Sequence, residues 1–373
     1  MQLPTTIRSP IRSSLAEYAR MRLTPARASS VNFMSLKYPL VYELVIVIAD
    51  LYLPEEGSAG ILALPGLERI ARFGRVCALH EGWRAWLARR VGAEALAAEA
   101  PACVAARCNA ARGALWLAAP VHCVAGLSSV HLDYRGLLKL PMATLAALAE
   151  DFQKLFQGSG FALQPLASGG FLLSGPAGGA DHATEPARSV GGRLAGVLPG
   201  EPALRRLGAE IELWLHEHPV NRLRARRGEL PVTGLWIWGG GTLPRELALP
   251  AAHEPVTSAR AYGRDPYLDG LWCARGAQVQ PLPAVIEEVL AAPTQLSVSI
   301  VELAELLTLD PAASLGDALA ACDARWLAPA VRLVERGAVQ QVAVVANDRC
   351  LSLQRYDHLK RWRRARRGLA GLA

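Results

Sequence analysis

A chain of 373 residues that is 51% hydrophobic and 20% charged can build a full core and is too apolar to be disordered throughout. Its net charge of +7 is confined to the ends: residues 1–40 set six basic side chains against Glu17, and residues 358–373 carry six with no acid. The stretch between is mildly acidic, which excludes a basic nucleic-acid face over the body of the protein. The lack of an uncharged apolar run of about 18 residues excludes a membrane span.

Residues 1–40, rich in Arg and Ser, read as an extension outside the fold, with Met34 as an alternative start to Met1. "YELVIVIADLYLP" (42–54) is a β-branched run closed by Asp50 and Pro54, and it predicts a buried first strand. "GLERIARFGRV" and "HEGWRAWLARRVG" predict short amphipathic helices stopped by glycine. The alanine-rich stretch from Glu94 to Pro120 predicts helix broken at Pro101. Strand and turn are expected over 126–140, a clean helix over 142–160, and a hairpin over 161–175 around Ser168-Gly169-Gly170.

Residues 175–201, rich in Gly, Pro and Ala, mark an internal boundary. A second strong helix runs from Pro202 to His218, where Pro219 ends it. "GLWIW" predicts a buried strand, the segments from Pro283 to Gly337 read as helices or short strands, and 338–356 reads as a hairpin turning at Asn347-Asp348. The tail from Lys360 is expected to be exposed. Strands and helices mix without a strict alternation, so the expected class is α/β, a mixed sheet with flanking helices. The expected division is an N-terminal α/β region over 41–180, a C-terminal α/β region over 190–357, and a basic tail over 358–373.

Seven cysteines lack any Cys-x-x-Cys spacing and predict reduced thiols in a cytoplasmic protein. No clustered ligand spacing predicts a metal site. Asp50, Asp181-His182, His216-Glu217-His218 and Asp357-His358 are the acidic or histidine sites available. Interest centres on residues 218–241, "HPVNRLRARRGELPVTGLWIWGGG". His218 ends a helix on its apolar stripe, where either acid–base chemistry or a structural cap suits it. Asn221 and Arg224 follow one turn apart, and a guanidinium grips carboxylate or phosphate in two-pronged fashion. A buried strand then carries Trp238 and delivers Gly239, Gly240 and Gly241, whose backbone could approach a ligand closely or form a tight turn.

Residues 210–244 resemble the RpfE-type bacterial regulatory protein family, often labelled cofactor-independent phosphoglycerate mutase. Glu210, His218, Pro219, Val220, Asn221, Arg224, Gly228, Pro231, Val232, Trp236, Trp238, Gly239 and Gly241 match its pattern. Glu212 stands where the family has glutamine, and Thr233 where it has a second asparagine. Weaker likeness extends over about residues 40 to 355. The resemblance implies a degenerate alkaline-phosphatase-like fold. It also implies a ligand site at His218, Asn221, Arg224, Thr233, Trp238 and Gly239–Gly241. The two-metal, nucleophile-bearing sets of those enzymes are missing from the sequence. The expected function is therefore a non-catalytic, regulatory protein binding a small anionic or phosphorylated ligand, with no cofactor. The alternatives are a divalent-metal phosphoglycerate mutase or phosphatase-like enzyme, and a nucleic-acid-linked regulator acting through the basic tail.

Overall fold

The computed structural model describes residues 41–53, 62–109, 111–126, 130–176, 183–190, 200–243, 258–291, 293–310, 312–360 and 362–372. The expectations for residues 1–40 and for Asp181-His182 lie outside them. The described chain opens with β1 (Val41–Ile48), α1 (Pro65–Phe73), β2 (Arg75–Ala78), α2 (Gly82–Arg90), α3 (Glu94–Ala97) and α4 (Pro101–Ala105). It continues through β3 (Gly113–Ala125), β4 (Val130–Leu137), α5 (Met142–Leu155), β5 (Ala162–Pro165), β6 (Phe171–Gly175), α6 (Pro202–His216), α7 (Pro219–Arg226) and β7 (Gly234–Leu243). Last come β8 (Ala259–Tyr262), α8 (Pro266–Cys273), β9 (Thr294–Val301), α9 (Leu303–Leu309), α10 (Leu315–Cys322), α11 (Ala328–Glu335), β10 (Val339–Ala346) and β11 (Arg349–Gln354).

The class is α/β, as expected, built on two sheets rather than one. The first sheet has the order β2-β11-β10-β1-β9-β8, with β10, β1, β9 and β8 mutually parallel. β1 lies at its centre, and both of its faces are covered. Leu44, Ile46 and Ile48 enter a core shared with α1 and α9 to α11, while Val45 and Val47 enter one shared with α2, α4 and α8. A strand buried on both sides needs an unbroken apolar run, which is why "LVIVI" does not alternate.

The second sheet orders β4-β3-β6-β5, with β7 along the other side of β3. One face packs on α5 and α6 through Phe152, Phe161, Leu207 and Ile211, and the other packs on α4. Its strands fall between β2 and β8 in sequence, so this layer is inserted into the first. The first sheet takes β1 and β2 from before residue 180 and the rest from after 190, while the second takes β7 from after 190. Both sheets thus draw strands from either side of residues 175–201.

The helix is broken at Pro101 as expected, between α3 and α4, and the proline starts α4, since at the first helical position it loses no hydrogen bond. Two local expectations change. Residues 113–125 form a strand, not helix: Ala114 to Ala118 pair with β6, and Gly113 to Val121 pair with β7. Between two partners, ladder hydrogen bonds override alanine's helical preference. The tail is anchored in part. Leu369 and Leu372 are buried, Gly368 donates to Glu68, and Asn347 Nδ2 donates to the Leu372 carbonyl. Arg364, Arg366 and Arg367 remain exposed.

Candidate functional site

Parallel strands end on the same edge of a sheet, and that edge is the usual ligand site of α/β folds. Here each parallel strand of the first sheet is followed by an acidic residue: Asp50 after β1, Asp265 after β8, Glu302 after β9 and Asp348 after β10. Asp50, Asp265 and Glu302 reach one cleft, with a cavity volume of about 100 Å³. Facing them are Lys139 beyond β4, the Ser168–Gly170 turn between β5 and β6, Trp238 of β7, Arg84 of α2, and Glu185.

Two of the acids serve the backbone. Asp50 accepts from the Leu303 and Ala304 N–H groups, each at 2.8 Å, so it caps α9. Asp265 accepts from the Tyr267 and Leu268 N–H groups at 2.9 and 3.0 Å and caps α8. Such capping spreads the carboxylate charge over amide dipoles. The others form ion pairs. Lys139 Nζ lies 2.6 Å from Glu302 Oε1. Arg84 pairs with Glu185, lies 3.6 Å from Asp265, and stacks 4.9 Å from the centre of the Trp238 ring.

Burial sets the titration of these groups. It pushes the Glu302 carboxyl up to about 7, with the Lys139 charge pulling the other way. Burial works against the Lys139 ammonium, but the charge and hydrogen bond of Glu302 together with Asp265 and Asp50 outweigh it and raise its pKa. Asp50 is raised by burial despite its two amide donors. Arg84 stays charged, because Glu185 and Asp265 overcome its burial. The site thus holds two half-buried cations, Lys139 beside Glu302 and Arg84 beside Glu185 and Asp265, and a carboxyl poised near neutrality.

The residues expected to bind ligand divide into two groups. His218 begins α7, where its Nδ1 accepts from the Val220 N–H at 3.2 Å. Its Nε2 lies 3.3 Å from Asp151, its ring packs edge-on against Trp214, and burial lowers its pKa. Asn221 is buried, donating to the Leu215 and Val232 carbonyls and accepting from the Val232 N–H, with every distance between 2.7 and 2.8 Å. Arg224 Nε donates to the Leu230 carbonyl and its Nη1 lies 3.0 Å from Glu229. Thr233 Oγ1 accepts from the Cys123 N–H at 2.7 Å. These four lock the loop between α7 and β7; they do not line the cleft with Lys139.

Trp238 does line that cleft, and with Gly239 and Gly240 it borders a larger neighbouring one. Gly241 packs on Ala100 and Cys103. The glycines are where β7 presses against α4 and Trp116. A Cβ on Gly240 would sit 2.3 Å from the Trp116 ring, and Gly239 has a φ of 65°. Lys139, Glu302, Asp265, Arg84 and Glu185 escape the sequence reading because they come from five separate segments. The acid after each apolar strand is the signal that could have found two of them, Asp265 and Glu302. Among the described residues, no group of three or more His, Cys, Asp or Glu side chains is placed to hold a metal ion, and no helix is long and apolar enough to cross a membrane.

No protein-family model and no curated protein matches the chain. Among solved structures it is similar to the cofactor-independent phosphoglycerate mutase from Thermoplasma acidophilum DSM 1728, with 15% identity, 84% of this chain and 89% of that chain covered, and a TM-score of 0.38. It is also similar to the PH0037 protein from Pyrococcus horikoshii, with 12% identity, 84% and 83% covered, and a TM-score of 0.42. Similarity at this level is one of α/β arrangement; it assigns neither a site nor an activity.

Proposed function

We propose that the protein binds a small anionic ligand, a carboxylate or phosphate ester, in the cleft between Lys139 and Arg84, and that it acts by binding rather than by catalysis. The supporting observation is that these two half-buried cations converge at the carboxyl edge of the parallel strands, where Glu302, the ion-pair partner of Lys139, can give up its charge. A ligand anion would take the place of Glu302 beside Lys139. Glu302, already near neutrality, would keep a proton as its ion pair opened. The RpfE-type resemblance of residues 210–244 supports a regulatory role for the bound state, and seven unpaired thiols suit a reducing cytoplasm.

The test is thermal unfolding with inorganic phosphate, a phosphomonoester and a dicarboxylate at constant ionic strength. A ligand at a hundredfold excess over its Kd adds about 2.7 kcal/mol of stability. At least one of the three should stabilise the protein, and the gain should vanish in the Lys139→Met/Glu302→Gln double variant, which removes the pair without stranding either charge. No stabilisation, or equal stabilisation of the variant, overturns the reading. A second reading, an enzyme of phosphatase or mutase type, is favoured by Glu302, since a carboxyl near neutrality suits proton transfer. Turnover of a phosphomonoester that depends on Glu302 would establish it in place of the first.

A further inference from the structure

Beside the Lys139 cleft lies a larger one of about 560 Å³, within the size range of small-molecule sites. Its walls come from Tyr52, the first turn of α2, the α3–α4 connection, residues 183–185 with Arg188, Trp238–Gly240 of β7, and Tyr267. Six side chains on these walls hold a buried polar atom without a hydrogen-bond partner among the described residues: Tyr52 Oη, Trp83 Nε1, Arg84 Nε, Glu99 Oε2, Glu185 Oε1 and Trp238 Nε1. The second oxygen of Glu99 is held by Arg107.

An unsatisfied buried donor or acceptor costs about 1–3 kcal/mol, and native interiors hold few of them. Three N–H donors, one phenol hydroxyl and two carboxylate oxygens around a single cleft are what a bound polar molecule would satisfy. The charge balance narrows its class. Arg84 and Arg188 are already paired with Glu185 and Asp348, which leaves no uncommitted cation on these walls for a further anion. The guanidinium faces are also occupied, Arg84 over Trp83 at 4.3 Å and Trp238 at 4.9 Å and Arg188 over Tyr52 at 4.2 Å, while the in-plane Arg84 Nε is left to donate. A hydroxyl both donates and accepts, so neighbouring hydroxyls on one ring match an acceptor flanked by N–H donors.

We infer that this cleft binds a neutral, hydroxyl-rich molecule the size of a sugar ring, which donates to Glu99 and accepts from the Trp83 and Trp238 indoles and Arg84. This cleft adjoins the anion cleft and shares Arg84, Glu185 and Trp238 with it, but it uses neither Lys139 nor Glu302. It is tested by saturation-transfer NMR and calorimetric titration of the full chain with myo-inositol, D-glucose and D-ribose. At least one should bind saturably, about tenfold more weakly in Glu99→Gln and in Trp83→Phe. Lys139→Met/Glu302→Gln should bind it as wild type does. Glu99 is partly exposed and its variant keeps the shape, so Glu99→Gln remains informative if Trp83→Phe does not fold. No saturable binding of any of the three, or affinities unchanged in the variants that fold, overturns the inference; in that case ordered water satisfies these atoms.

Discussion

Glu302 and Lys139 stand 163 residues apart in sequence, yet the cleft depends on their 2.6 Å contact. Burial holds the Glu302 proton to about pH 7 in the folded protein, against 4.5 for an ordinary glutamate. The folded state therefore binds more protons than the unfolded chain between about 4.5 and 7. Stability from this group is fully present below that window and is lost as pH rises through it. Urea midpoints measured from pH 4.5 to 7.5 should lose this component in Glu302→Gln, while a carbon-detected titration should place the wild-type carboxyl near 7. Anion affinity should likewise weaken as pH passes above 7, because the displaced carboxylate then stays charged beside Lys139. Asn221 serves a different end. Asn221→Ala leaves the Val232 N–H and two carbonyls without their buried partner, at a cost of roughly 2–4 kcal/mol in denaturant unfolding. Phosphate binding, measured where that variant is folded, should not change.

At the scale of elements, the reading succeeds where local chemistry is self-sufficient. β1 is legible because its β-branched run fits only a doubly buried strand. The β10–β11 hairpin is legible because Asn347 and Asp348 tolerate the positive φ values of 50° and 56° that its turn demands. β3 is illegible: "GALWLAAPVHCVA" is helical by composition, and only β6 and β7 on its two sides make it a strand. The glycines of β7 suggest a ligand loop in isolation, but their partners are Pro101, Ala100 and a Trp116 ring held at 0% exposure. Gly240→Ala should therefore destabilise by about 1–3 kcal/mol in denaturant unfolding, since that ring has no space to yield. The cleft itself was illegible except for Asp50, because each strand contributes one acid and no contiguous motif records their meeting.

For the molecule as a whole, the basic end belongs to the fold as well as to its charge. Removing residues 361–373 exposes the contacts of Leu369 and Leu372, two leucines of roughly 1.5–3 kcal/mol each. The truncated protein should unfold at least about 3 kcal/mol more easily, at high salt as at low salt; a loss confined to low salt would mean that charge alone is at work. The inserted second layer also has a bearing on how the protein is made. Among the described strands β1 is the first to leave the ribosome, yet its neighbours β9 and β10 are among the last. The Asp50–Leu303 hydrogen bond that closes this gap spans 253 residues. At 5–20 residues per second, the nascent chain carries an unpaired apolar strand for roughly 10–50 s. The strand that is most protected in the finished protein is thus the longest unprotected during its synthesis, and a holdase has that interval in which to engage it.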